Sequence, residues 1–124
     1  MQHNIRGLVF FACALLPGCG NPFNNQSFSR KAWLKAQHRQ RAPMAQDLVR
    51  NHIPRGMTGN GIVALLGQPD HIWKKTDGVG YRVKGNRTYA YWLGSWSMQS
   101  YDDAFVYVHF DDAGRMQTSE VNGF

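Results

Sequence analysis

Hydrophobic and polar positions change period several times along the chain. Residues 7–16 (GLVFFACALL) are an unbroken apolar run of ten behind a polar start holding one cation, Arg6. That is half of the roughly 20 residues a membrane-spanning helix needs, and it suits the apolar core of a secretory signal. Residues 21–29 (NPFNNQSFS) are polar and turn-rich and read as a flexible tether. Residues 30–42 predict a helix of poor amphipathicity, with Ala32, Trp33, Leu34 and Ala36 as its apolar members. Pro43 suits the first turn of a second helix with Met44, Leu48 and Val49 at helical spacing. It should end near Asn51, because His52-Ile53-Pro54 cannot continue it. Thr58 is a candidate N-cap for a short helix carrying Ile62, Val63, Leu65 and Leu66. Gly67 suits the left-handed position that ends such a helix, and Pro69 stops any extension. Gly59 and Gly61 in its first turn cost about 1 kcal/mol each relative to Ala, so this helix depends on packing.

The second half changes to period two. Residues 71–75 open a strand and residues 76–80 (TDGVG) form a turn. Residues 81–83 and 88–93 flank a second turn at Lys84-Gly85-Asn86, and residues 94–103 form a longer polar loop with Trp96 and Met98. Residues 104–110 alternate, with Ala104, Val106, Val108 and Phe110 on one face and Phe105, Tyr107 and His109 on the other. Asp111-Asp112-Ala113-Gly114 reads as a hairpin turn with Gly placed for positive φ, and residues 115–121 as the last strand. Helices followed by an antiparallel meander predict an α+β fold in two layers.

Composition narrows the class. The chain has 124 residues, is 43% hydrophobic and 18% charged, and carries a net charge of +6. These values exclude a disordered tail, a multidomain enzyme and a membrane bundle. Two Cys residues support neither a disulfide scaffold nor a multi-Cys zinc site.

The tetrad Leu16-Pro17-Gly18-Cys19 closes the apolar run and resembles the bacterial lipobox, with Pro17 a departure from the usual Ala, Ser or Thr. The alternative is an ordinary secretory signal in which Cys19 has no role. The lipobox resemblance implies removal of residues 1–18, acylation of Cys19 and, with Gly20 rather than Asp behind it, a place on the periplasmic side of the outer membrane. Palmitate-type acyl chains would supply the membrane affinity, about 0.8 kcal/mol per buried CH₂.

A wider resemblance rests on Asp47-Leu48-Val49, Gly56-Met57-Thr58 and Leu65-Leu66-Gly67-Gln68-Pro69-Asp70. Tyr91-Trp92-Leu93-Gly94, Val108-His109-Phe110-Asp111 and Gly114-Arg115 extend it. Together they are similar to the SmpA/OmlA (BamE-like) domain, with a departure at Gly59-Asn60-Gly61-Ile62. The resemblance implies two helices on a three-stranded antiparallel sheet, akin to the β-lactamase-inhibitor-protein fold. It divides the chain into a signal at 1–18, a tether at 19–29 and a BamE-like α+β domain at 30–124. It also implies a partner, the outer-membrane β-barrel assembly machine. The motifs themselves encode helix ends and packing rather than a site.

Residues suited to catalysis or metal binding are sparse. His3, His38, His52, His71 and His109 show no ligand spacing, so no metal is expected. Asp102-Asp103 and Asp111-Asp112 sit at strand ends, where turn chemistry outweighs acid–base work, and Glu120 is the sole Glu. No nucleophile elbow, phosphate loop or dinucleotide fingerprint occurs, so neither an enzyme nor a cofactor is expected. Two surfaces are candidates instead. Arg30, Lys31, Lys35, Arg39 and Arg41, with no acid among them, form either a contact for anionic phospholipid or a solvated helix face. Tyr89, Tyr91, Trp96, Phe105 and Tyr107 form either a partner-binding patch or cross-strand packing. The signal argues against nucleic acid as the counter-charge. The expected role is a non-catalytic binding and scaffolding module with an envelope protein partner. The alternative is an inhibitor or immunity-type protein that blocks one envelope enzyme through its sheet face.

Overall fold

A computed structural model describes residues 22–77, 84–96 and 103–122. The chain is α+β in two layers. Helical segments cover one face of a single antiparallel sheet whose strands follow chain order: β1 (His71–Lys74), β2 (Arg87–Ser95), β3 (Asp103–Phe110) and β4 (Met116–Asn122). The resemblance implied three strands. The fourth is the edge strand β1, which pairs His71 with Ala90 and Trp73 with Thr88.

The predicted first helix is two. α1 (Arg30–Lys35) starts at Ser29, whose Oγ accepts the Ala32 N–H at 3.2 Å, and stops at Ala36, which is extended. α2 (His38–Arg41) restarts after Gln37. It runs on through a 3₁₀ turn (Ala42–Met44), the short α3 (Ala45–Asp47) and a π turn (Leu48–His52). Pro43 is accommodated in the 3₁₀ turn, and the winding ends at Ile53, which precedes Pro54. α4 (Gly59–Leu66) is capped as expected: Thr58 Oγ1 accepts the Gly61 N–H at 3.1 Å, and Gly67 closes it at φ 82°.

Trp33, Leu48, Ile62 and Leu66 meet Tyr91, Leu93, Val106, Val108 and Phe110 in one core. Two core aromatics also close α4, whose last carbonyls lack helical partners. Trp33 Nε1–H donates to Leu66 O at 3.1 Å, and Tyr91 Oη–H donates to Gly67 O at 2.9 Å. Ahead of Thr58, Gly56 and Met57 bond to Met116, which ties the start of α4 to the start of β4.

The segment before α1 is docked on the domain, which corrects the flexible tether predicted for 19–29 over its described part, 22–29. Phe23 O accepts the Gln46 N–H at 2.7 Å, and the N–H groups of Asn25 and Gln26 donate to Pro43 O at 3.2 and 3.1 Å. Phe28 N–H donates to Asp47 Oδ2 at 2.8 Å. Cys19, the signal, residues 78–83 and residues 97–102 lie outside the described residues.

Candidate functional site

Strand alternation gives the sheet a second face, turned away from the helices. Register puts His71 and Trp73 of β1, Thr88, Ala90 and Trp92 of β2, and Phe105, Tyr107 and His109 of β3 on it. Five rings form a continuous row. His71 stacks on Trp73 (centroids 5.3 Å apart, planes 11°), Trp73 meets Phe105 edge-on at 6.1 Å, and Phe105 stacks on Tyr107 at 5.5 Å. Tyr107 then meets His109 at 5.9 Å. Phe105 and Trp73 are half-buried and His71 is exposed, whereas Tyr107 is only 7% exposed and belongs to the packing of this face.

A polar row continues from the rings. The fully buried Thr88 Oγ1 lies 2.6 Å from His109 Nδ1, and the backbone N–H of Lys84 reaches the same nitrogen at 3.4 Å. A backbone N–H only donates, so Nδ1 is an acceptor and the neutral ring carries its proton on Nε2. That nitrogen is buried without a hydrogen-bond partner, and Glu120 Oε2 stands 3.5 Å away, too far for a good bond. Burial pushes the imidazole below its ordinary pKa, outweighing the pull of Glu120. Burial pushes the Glu120 carboxyl upward, but the Lys84 ammonium at 2.5 Å and Asn122 outweigh it and leave Glu120 below the usual range.

A third cluster sits where β2 ends. Trp96 packs edge-on to Phe23 at 5.3 Å, and the Arg39 guanidinium lies 4.2 Å over its ring. His38 tilts on Trp92 at 4.7 Å and reaches Asp70 Oδ1 at 3.2 Å, while Asp70 Oδ2 accepts the Trp92 N–H at 2.7 Å. His38, Arg39, Trp92, Gly94 and Ser95 line a shallow open cleft between α2 and β2.

The predicted residues therefore do not form one patch. Tyr89 and Tyr91 pair with Val108 and Val106 and face the helices, on the opposite side from Phe105 and Tyr107. Tyr89 packs on Phe110 at 4.6 Å, and burial raises the Tyr91 phenol well above its ordinary pKa. Trp96 lies at the strand end. The five cations do not form one stripe either. Arg30 Nε donates to Ala64 O at 2.9 Å, Arg41 Nε donates to Trp33 O at 3.0 Å, and Arg39 is on Trp96. Burial also lowers the Arg41 pKa. Lys31 and Lys35 remain exposed on α1, beside the 40% exposed Leu34. Trp73 and His71 were not foreseen as site residues. The sequence marks residues 71–75 only as the opening of a strand, and pairing with β2 brings these two rings beside Phe105 and Tyr107.

Asp103 and Asp111 are committed to structure. Asp111 Oδ1 accepts the N–H groups of Ala113 and Arg115 at 2.9 and 3.0 Å, and Asp103 Oδ1 accepts Trp92 Nε1–H and the Ser95 hydroxyl. Among the described residues no three His, Cys, Asp or Glu side chains group as metal ligands, and no helix is long and apolar enough to cross a membrane.

No family model and no curated protein matches the chain. Among solved structures it is similar to an osmotically inducible lipoprotein, OsmE, at 20% identity. The similarity covers 60% of this chain and 75% of that one, with a TM-score of 0.42. A likeness that slight assigns no role, and the α+β architecture stands on the chain's own sheet and helices.

Proposed function

We propose that the chain is a lipid-anchored, non-catalytic binding module of the cell envelope, with Cys19 acylated and the domain on the periplasmic side of the outer membrane. The observation that carries this reading is the tetrad Leu16-Pro17-Gly18-Cys19 at the end of an apolar run too short to span a bilayer. Two features support a binding role over a catalytic one. Asp70, Asp103 and Asp111 accept hydrogen bonds from backbone N–H, ring N–H and hydroxyl groups, which gives these three carboxylates a structural role. The half-buried rings of Trp73 and Phe105 offer aromatic area of the kind that anchors protein interfaces. By the family resemblance, the partner is the β-barrel assembly machine.

In-cell crosslinking tests the partner. A photoreactive residue in place of Phe105 in the full-length protein is expected to capture β-barrel assembly components, and loss of the protein is expected to lower outer-membrane barrel levels. Capture of one soluble envelope enzyme, with barrel levels unchanged, would overturn the assembly role in favour of an inhibitor.

A further inference from the structure

We propose that residues 22–29 act as a clamp that sets which end of the domain meets the bilayer: the end carrying Phe23, Arg39, Trp92 and Trp96 lies at the headgroup layer. This rests on the reading of Cys19 as acylated. A free tether of ten residues would let the body wander about 30 Å from its anchor and present any face. The chain removes most of that freedom. Phe23 O holds the Gln46 N–H at 2.7 Å, Asn25 and Gln26 hold Pro43 O, and Phe28 N–H is held by Asp47 at 2.8 Å. The leash is then the stretch from Cys19 to Pro22, which spans about 10 Å at full extension.

What lies at the root of the leash suits an interface. The Phe23 ring contacts Trp96, Arg39 covers the same indole at 4.2 Å, and Trp92 lines the adjoining cleft. Tryptophan rings favour the boundary between headgroups and acyl chains, where part of the ring is wet and part is not. A guanidinium within a Debye length of an anionic surface, about 8 Å at physiological salt, is attracted to it. The hairpin turn at Asp111 and Asp112 is at the other end of the sheet, about 30 Å away along the nine-residue β2. The occupant is therefore the lipid surface itself, met by α2 and the end of β2.

The test uses the full-length acylated protein in vesicles of phosphatidylcholine and phosphatidylglycerol containing a quencher lipid. A fluorophore is placed on one introduced thiol at a time: Gln40→Cys in the cleft or Asp112→Cys at the far turn. The proposal expects quenching at position 40 several-fold stronger than at 112. Inserting ten Gly/Ser residues between Asn21 and Pro22, which lengthens the leash without touching the clamp, should cut the quenching at position 40 toward that at 112. Equal quenching at both positions with the protein vesicle-bound would overturn the clamp and leave the anchoring reading standing. Failure of the unaltered protein to float with vesicles would overturn the anchoring reading, and the clamp with it.

Discussion

Gly59 opens α4 at a place where no side chain fits. A Cβ there would stand 2.6 Å from Tyr89 Oη and 3.3 Å from the Arg87 guanidinium. Alanine would gain about 1 kcal/mol of helix propensity and lose about 1–3 kcal/mol to overpacking, so Gly59→Ala should destabilise the fold. Urea denaturation measures this, and Gly59→Ala combined with Tyr89→Phe should recover most of the loss. A stabilised Gly59→Ala would contradict the close contact. The resemblance treats this stretch as a departure from the family's pattern, and the packing of Tyr89 accounts for the glycine. His109 makes a second residue-scale prediction. Its folded pKa is depressed, mainly by burial, so folding favours the neutral ring. The stability that comes from it is fully present above the ordinary His value, about 6.5, and is lost as pH falls below it toward the folded value. Denaturation at pH 7.5 and 5.5 should show a smaller acid loss in His109→Gln than in the unaltered protein. An equal loss in both would contradict the buried neutral imidazole.

Elements differ in how openly their residues declare them. The alternation of β3 separates Val106 and Val108 from Phe105 and Tyr107, because one face of that strand packs on helices and the other on rings. Strand β2 is central and buried on both faces from Thr88 to Tyr91, so no polarity contrast separates Tyr89 from Ala90. Its aromatics could be placed only once the register with β3 was known. The break of the basic helix at Ala36 carries no Gly or Pro to announce it. The break lets Arg41 fold back on Trp33, with Nε donating to Trp33 O and the guanidinium 4.9 Å over the indole. Segment 22–29 was illegible for a different reason. It is held mostly by backbone groups, and side-chain composition does not record where backbone hydrogen bonds go. Asp47 is the exception, and its carboxyl is held below the usual range by the Phe28 N–H first and by Asn51 next. Asp47→Ala should free the Phe28 N–H, read as faster amide exchange at residue 28, with Asn25, Gln26 and α4 unchanged. Unchanged exchange at residue 28 would contradict the clamp's attachment to α3.

At the scale of the whole molecule, two layers leave the sheet one face away from the helices, with a row of rings from His71 to His109 and a polar row behind it. The core side is committed to stability. Trp33→Ala, which empties a fully buried site and frees Leu66 O, should cost about 3–5 kcal/mol in thermal or urea unfolding, and a cost under about 1 kcal/mol would contradict its place in the core. The α+β order was legible because helical spacing gives way to alternation near residue 71. The strand count and the docked leader were not, since both depend on long-range backbone pairing. The central claim is that this domain hangs from the membrane by an acylated Cys19. Mass spectrometry of the protein extracted from membranes tests it most directly. The account predicts a mature chain beginning at Cys19 with acyl mass on that residue, and Cys19→Ala protein with no acyl mass and no membrane retention. A mature chain with an unmodified Cys19, or a Cys19→Ala variant retained on membranes as well as the original, would contradict it.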